Sequence, residues 1–511
     1  MLARVLSSSL IGIDPYLVEV EVNVEGHAFR YNTVGLPELA VRESKERVIS
    51  AIKNSGYKFP PKAYTINLAP ADIKKEGSAF DLPIAIGILA ALGAVNHEDL
   101  EDYVLMGELS LDGTLRPVKG ALPSAVGVHE SHLNGLILPA ANAREAAITG
   151  DIDVIPVNTL LDAILFLNGE KYIEPLEVDA DLLFSEAQNY PVDLADVRGQ
   201  AHVKRALEVA AAGGHNVLMI GPPGSGKTML AKRFPTILPQ MTLEEALETT
   251  KIHSIAGMVR TEGLVATRPF RSPHHTISDA ALVGGGRIPR PGEVSLAHHG
   301  VLFLDELPAF QKNVLEVMRQ PLENTEVTIS RASMSLTYPA NFILLSAMNP
   351  CPCGYSSDPR HECTCSSVSI QKYMAKISGP LLDRIDLHIE VPAIPFEELA
   401  AKEDGEPSNI VRQRVQQARN LQIKRFIKDA HIHSNADMPP KMIRTICLID
   451  STSSELLRTA IMNLGLSARA YDRILKVSRT IADLGGSEQI QAEHISEAIQ
   501  YRTLDRQLWM N

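Results

Sequence analysis

Val18, Val20, Val22 and Val24 alternate with Glu19, Glu21 and Asn23, a period of two that predicts a half-exposed strand. The period lengthens between residues 39 and 52. There Leu39, Val41, Val48, Ile49 and Ile52 stand among charges, the spacing of an amphipathic helix. Tyr64-Thr65-Ile66-Asn67-Leu68 and Gly135 to Pro139 predict further strands. Val217-Leu218-Met219-Ile220 and Val301-Leu302-Phe303-Leu304 differ from these, because they are solid apolar runs of the kind found in buried strands. Strand and helix patterns alternate to about residue 395. That predicts a mostly parallel sheet with helices on both faces. From 396 onward the pattern is helical, with no clear strand.

These textures predict an α/β multidomain protein. Residues 1–170 form an α/β region without a nucleotide motif. Residues 171–195 are acidic and weakly patterned (Glu174-Pro175, Asp179, Asp181, Glu186) and suit a linker. Residues 196–395 form the second α/β region, opened by a helix that starts at Asp196-Val197-Arg198-Gly199-Gln200, and 396–511 a helical one. A chain of 511 residues is long enough for several cores. Its net charge of −12 supplies no global basic field, so any nucleic-acid contact must come from local patches. The longest uncharged apolar run, Leu82 to Val95, is too short to cross a bilayer and contains Pro83 and Gly87. No signal peptide is visible from Met1 to Ile13, and four of the five cysteines are clustered. A reducing, cytoplasmic setting without membrane contact is expected.

The apolar run 217–220 leads straight into Gly221-Pro222-Pro223-Gly224-Ser225-Gly226-Lys227-Thr228. This is a phosphate-binding loop of the G-x-x-x-x-G-K-[ST] type. Its glycines let backbone N–H groups close around phosphate oxygens, where a Cβ would block the approach. Lys227 would reach the terminal phosphates and Thr228 would hold Mg2+. The helix that follows points its positive end at the anion. The run 301–304 ends in Asp305-Glu306, and two carboxylates there have no packing purpose. Asp305 fits a ligand of nucleotide-bound magnesium, and Glu306 fits the base that orients an attacking water. Together they predict nucleoside-triphosphate hydrolysis as well as binding.

Cys351-Pro352-Cys353 and Cys363-Thr364-Cys365 flank a nine-residue loop that needs a staple. Four thiolates there can satisfy tetrahedral Zn2+ in a structural role, and His361 could replace one of them. Cys447 stands apart as a small apolar residue. His274, His275, His298 and His299 come in adjacent pairs. Adjacent side chains rarely face the same way, so structural or intersubunit roles are favoured over metal binding. Ser408 can cap a helix over 409–429 with Val411, Val415 and Ala418 on its apolar stripe. Arg412, Arg414, Arg419, Lys424, Arg425 and Lys428 leave it two readings: a phosphate-backbone contact, or a lid helix paired with acidic neighbours.

Several segments together resemble one family. Arg268-Pro269-Phe270-Arg271-Ser272-Pro273-His274-His275-Thr276, Gly284-Gly285-Gly286, Pro289-Arg290-Pro291-Gly292-Glu293 and Leu296-Ala297-His298-His299-Gly300 precede the Asp-Glu strand. Ser346-Ala347-Met348-Asn349-Pro350-Cys351-Pro352-Cys353-Gly354 and Gly379-Pro380-Leu381-Leu382-Asp383-Arg384-Ile385-Asp386-Leu387 follow it. Over nearly the whole chain this resembles the magnesium-chelatase-like AAA+ ATPases. The resemblance implies a P-loop core, a C-terminal helical lid and a ring-forming homo-oligomer, expected as a hexamer. It implies that Asn349 is the sensor-1 residue that helps place the lytic water. Arg384 would be the arginine finger that completes a neighbour's site, and Arg469 the sensor-2 residue on the lid. From the residues alone, Arg384 and Arg469 are equally surface ion-pair partners.

Relatives carry an insertion at 271–299 and a hairpin near Val327 to Tyr338, with Arg331 near its tip. Arg287, Arg290 and Arg331 are then candidates to touch a polymer in the pore, or are solvated loop charges. The N-terminal region resembles the Lon-protease-like (ribosomal S5-like) α/β fold, through Lys74 to Leu82 and Met106 to Gly120. Ala79 and Leu122 stand where the proteolytic serine and lysine would be, so acyl transfer is not expected. Ser78, Ser124, Lys74 and Lys119 are near but off register.

The resemblance implies a DNA motor that performs branch migration in homologous recombination, especially of incoming DNA in transformation, on single-stranded or branched DNA. Two other functions share the motor core. One is a chelatase-type remodeller of a protein or metal-insertion client; the other is a regulator of proteolysis.

Overall fold

The computed structural model describes residues 1–505 apart from 27, 76, 97–99, 187–189, 260–262, 287–288, 332–333, 357, 359, 395–404 and 430–431. The chain divides into two compact units. One is Met1–Gln188 with Leu243–Ala266; the other is Asn189–Thr242 with Thr267–Asn511. The core expected as one stretch over 196–395 is therefore interrupted, since 243–266 belongs with the first unit. Side chains in the first unit explain it. Ser254, on the helix Leu243–Ala256, donates to the buried Glu145 carboxylate, which also accepts from the Leu122 N–H (3.1 Å).

The first unit is built on a seven-stranded sheet in the order Arg30–Val34, Ala63–Ala69, Asp14–Glu25, Leu2–Ile11, Tyr103–Leu105, Gly135–Pro139, Asp153–Val157. The pairs of Asp14–Glu25 with Leu2–Ile11 and with Ala63–Ala69 are antiparallel, and the other pairs are parallel. The valine alternation works as predicted. Val18, Val20, Val22 and Val24 are buried, and each is worth about 1.5–3 kcal/mol relative to exposure. The apolar run at 82–95 forms the wholly buried helix Asp81–Ala91. No described helix is long and apolar enough to cross a membrane.

The second unit holds a five-stranded, all-parallel sheet in the order Phe270–Arg271, Val301–Leu304, Ile343–Met348, Val217–Ile220, Leu387–Glu390. Both solid apolar runs are central strands, buried throughout. Register places Ile220 opposite Met348 and Leu304 opposite Ser346. The phosphate loop, Asp305-Glu306 and Asn349 therefore all emerge from the same edge of the sheet, at its C-terminal ends.

Helices Ser408–Phe426, Pro440–Ile446, Ser451–Leu464, Ala468–Leu484 and Ala492–Gln500 follow, and they share one hydrophobic core with the sheet through Val411, Val415, Leu457, Ile474 and Ile495. Pro407, not Ser408, is the N-cap of the first of these helices. Ser408 is buried, and its Oγ accepts from the Leu194 N–H (2.7 Å). Its basic residues turn partly inward. Arg414 pairs with Glu208 and Glu406, and Arg425 with Asp483. Lys424 and Lys428 remain exposed.

At the opposite, N-terminal edge of this sheet lies a buried ionic network. Asp386 accepts from the Asn216 N–H (3.1 Å), pairs with Arg473, and lies 3.4 Å from the His215 ring. His388 meets Asp505 (2.5 Å), and Arg502 bridges Asp505 (2.6 Å) to the Ile385 carbonyl (2.5 Å). Burial works against the Asp386 carboxylate, but Arg473 and His215 outweigh it and hold its pKa well below the usual range. Burial, then Arg502, lowers the pKa of His388.

Candidate nucleotide site

The loop 221–226 leaves the strand Val217–Ile220 and turns through Gly224 and Gly226, both at positive φ (75° and 89°). L-residues rarely adopt that conformation. The helix Lys227–Arg233 begins immediately after. The Lys227 ammonium is buried and donates to the carbonyls of Gly221 (2.7 Å) and Pro222 (2.8 Å), with Asn349 Oδ1 at 3.3 Å. Burial lowers its pKa, and Asp305 opposes that. A lysine held by two carbonyls is poised to exchange them for phosphate oxygens, a stronger charge-assisted contact.

Thr228 Oγ1 donates to Asp305 Oδ2 (2.8 Å). A hydroxyl and a carboxylate side by side make the oxygen-rich corner that Mg2+ selects. Glu306 is exposed and sits at φ 53°, with its N–H bonded to Asp305 Oδ1 (2.9 Å). The left-handed backbone turns it out of the strand direction, and an exposed carboxylate can reach water. The donors fit a magnesium–nucleotide complex: Lys227 for the terminal phosphates, Thr228 and Asp305 for the metal, Glu306 for water.

Three residues near this edge were given no role at this site by the sequence reading. Gln200 donates to the Ser225 carbonyl (2.8 Å) and the Pro392 carbonyl (3.2 Å), and its own buried Oε1 has no partner among the described residues. It braces the phosphate loop from the preceding helix. His275 Nδ1 lies 3.7 Å from Glu306 Oε2. Tyr373 lies beside the Asn349 backbone; burial, with Cys351 and Glu306 nearby, pushes its hydroxyl up to about 12. Gln200 carried a faint signal, as the residue that opens a helix before the loop. His275 and Tyr373 carried none, because only folding brings them to the strand ends.

The two arginines that the resemblance singles out lie elsewhere. Arg384 is buried, pairs with Glu323 and donates to the Pro380 carbonyl. Burial, with Arg319, Arg469 and Arg473 nearby, lowers its pKa. Arg469 is exposed, 3.8 Å from Asp383. Arg384 and Arg469 thus come near each other but answer different carboxylates, Glu323 and Asp383. The expectation that adjacent histidines diverge is corrected. The rings of His274 and His275 lie 4.1 Å apart, and those of His298 and His299 lie 3.9 Å apart.

The hairpin Glu326–Arg331 and Met334–Pro339 ends at Arg331, whose Nε donates to the Gly286 carbonyl (3.3 Å). Arg290 is exposed. Arg287 lies outside the described residues. In the first unit Ser78 donates to Glu108, while Lys75 is buried and donates to the carbonyls of Pro70 and Ile73. Lys119 lies 3.5 Å from the Ala256 carbonyl.

Models of the magnesium chelatase subunit ChlI match residues 20–142 and 193–399, and the model of its C-terminal region matches 405–502. Competence protein ComM of Haemophilus influenzae is 45% identical over 99% of this chain and 98% of its own length. The chain belongs to the ComM/YifB family of magnesium-chelatase-like proteins. Within this family YifB of Escherichia coli is 44% identical over 99% of this chain and 98% of its own. The 67 kDa magnesium-chelatase subunit of Chlorobaculum tepidum is 28% identical over 31% of this chain and 23% of its own. Membership in a magnesium-chelatase-like AAA+ family implies ATP and Mg2+ as ligands.

Proposed function

We propose that this chain is an ATP-hydrolysing ring motor acting on DNA, a branch-migration helicase that serves homologous recombination of incoming DNA during natural transformation. The observation that carries the ATPase is the convergence of Lys227, Thr228, Asp305, Glu306 and Asn349 at one edge of a parallel sheet. The full-length likeness to a competence protein supports the DNA substrate and a role in competence. Bound ATP with Mg2+ supplies a polarised terminal phosphoryl group. Lys227 steadies its charge, Glu306 accepts a proton from the attacking water, and Asn349 helps to align that water.

In this reading Arg384 acts on a neighbouring subunit's nucleotide in a hexamer, leaving Glu323 on assembly. Arg469, on the helical lid, serves as sensor 2. Arg287, Arg290 and Arg331 contact single-stranded or branched DNA. The first unit, Lon-like in sequence, is a non-proteolytic scaffold or collar. The four clustered cysteines hold structural Zn2+, and the protein works in the cytoplasm.

The test is junction migration by purified protein with ATP, abolished in Lys227→Ala and Glu306→Gln. ATPase activity indifferent to every DNA form would count against a DNA motor. Turnover untouched by Arg384→Ala would remove the ring. A chelatase-type remodeller is the second reading, favoured by the ChlI models that match most of the chain. ATPase stimulation by a protein client, with none by DNA, would select it.

A further inference from the structure

We propose that the zinc centre formed by Cys351, Cys353, Cys363 and Cys365 braces the nucleotide site, so that its occupancy sets how tightly the chain grips nucleotide. This rests on the ATPase reading above and adds a structural control to the same site.

The sulfurs are already gathered. Cys351 Sγ lies 3.3 Å from Cys353 Sγ and 3.7 Å from Cys363 Sγ, and Cys353 and Cys363 are 3.6 Å apart. The ligand atoms of all four lie within 4.8 Å of one another. A disulfide would bring two sulfurs to about 2.05 Å, and none of the four cysteines is so joined. Four thiolates about 2.3 Å from one ion stand roughly 3.7–3.8 Å apart at tetrahedral angles, close to the separations found. The Cys353 N–H donates to Cys365 Sγ (3.3 Å), the outer contact that steadies a thiolate ligand. An all-sulfur tetrahedral set selects zinc over hard cations. His361 is turned aside, with its ring stacked on Tyr355 (4.8 Å) and its Nδ1 3.2 Å from Asp358. Each thiol gives its proton to solvent as the metal binds.

The loop touches the nucleotide site in two places. Gly354 follows the first Cys pair at φ 93°, and a Cβ there would stand 2.7 Å from Pro223 in the phosphate loop. On the other side, Cys365 runs into the helix Ser367–Met374, which carries Tyr373 to the Asn349 backbone. Asn349 in turn faces Lys227. Cys351 is two residues after Asn349 and is buried. The metal therefore clamps the strand end that carries Asn349 to the helix that carries Tyr373. It presses the turn between them against Pro223. Without it, the loop relies on turn hydrogen bonds such as that from the Gly354 N–H to the Cys351 carbonyl.

The experiment measures metal and nucleotide grip separately, on the full chain. Elemental analysis should find one zinc per chain. Co2+ in its place should give the visible absorption of a tetrahedral thiolate site. Cys363→Ser and Cys365→Ser should lose the metal. A non-hydrolysable ATP analogue with Mg2+ should bind about 10-fold more weakly to the chelator-stripped chain, and readdition of zinc should restore it. Gly354→Ala should keep its zinc and still bind the analogue more weakly, which covers the case where the cysteine variants do not fold.

Absence of bound metal, before and after zinc is supplied, overturns the site. Iron in its place, visible as colour, overturns the identity of the ion. Unchanged analogue affinity on stripping, together with unchanged affinity in Gly354→Ala, overturns the brace. Lys227→Ala marks the other failure: if it leaves analogue binding of the zinc-loaded chain intact, the ATP site itself is misassigned.

Discussion

The two edges of the parallel sheet in the second unit use charge in opposite ways. At the C-terminal edge Glu306 is exposed, Lys227 leans on carbonyls, and Thr228 meets Asp305. At the N-terminal edge Asp386, His388, Arg502 and Asp505 are buried and answer one another. The first arrangement leaves charge available to a ligand. The second spends it on joining the last strand to the helices behind it. Buried ion pairs of this kind seldom add net stability over apolar packing, but removing one partner is severe. The same residue types therefore predict opposite phenotypes at the two edges.

The sharpest test of that contrast is chemical. Glu306→Gln keeps the shape and removes the base, so kcat for ATP should fall about 10²–10⁴-fold with the melting temperature unchanged. A stopped assay together with a thermal melt would check both halves. Next is Asp386→Ala, which strands Arg473 and His215 in a buried site. It should cost about 3–5 kcal/mol of stability by denaturant titration. Nucleotide affinity at low temperature should survive, because the mutated edge carries no ligand group.

A smaller effect comes from pH. The lowered pKa of His388 means that the unfolded chain takes up a proton first as pH falls. Its contribution is complete above the unfolded value of about 6.5 and is lost as pH drops below it, by up to about 1.4 kcal/mol per unit. Asp386 is also lowered, so its share is lost only below an unfolded value of about 3.9. Denaturation midpoints at pH 7.5 and 5.5 should differ in the native chain, and the gap should narrow in His388→Gln. The mildest change is His275→Ala. It should alter kcat by a few-fold and leave KM for ATP unchanged, since His275 lies against Glu306, the residue placed to act on water. A change confined to KM would move His275 into the binding machinery.

The sequence made the catalytic edge readable because its parts are short contiguous signals at the ends of apolar runs. Gly221 to Thr228 and Asp305-Glu306 each abut a solid apolar run, and Asn349 comes from the family resemblance. The buried network was not readable. Asp386 and His388 alternate with Ile385, Leu387 and Ile389, which looks like an ordinary half-exposed strand until Arg473, Arg502 and Asp505 arrive from far along the chain. Arg414 and Arg425 show the same limit. Their partners Glu208 and Asp483 are distant in sequence, so the residues alone leave a phosphate contact and an acid-paired lid helix both open. The packing of the helix Leu243–Ala256 with the first unit is hidden for a related reason. Its anchor, Ser254 on Glu145, is a single polar contact that no periodicity announces.

That helix has a consequence for anyone who would take the protein apart. The backbone passes from one unit to the other at 188–189, returns at 242–243 and leaves again at 266–267. A single protease nick in the acidic stretch after residue 170 would release neither piece, because each unit would still be tethered through the excursion at 243–266. Expressing either half alone would orphan a helix or omit one. The first unit is thus built from two separate stretches of chain, and swapping it with that of a relative requires grafting both at once.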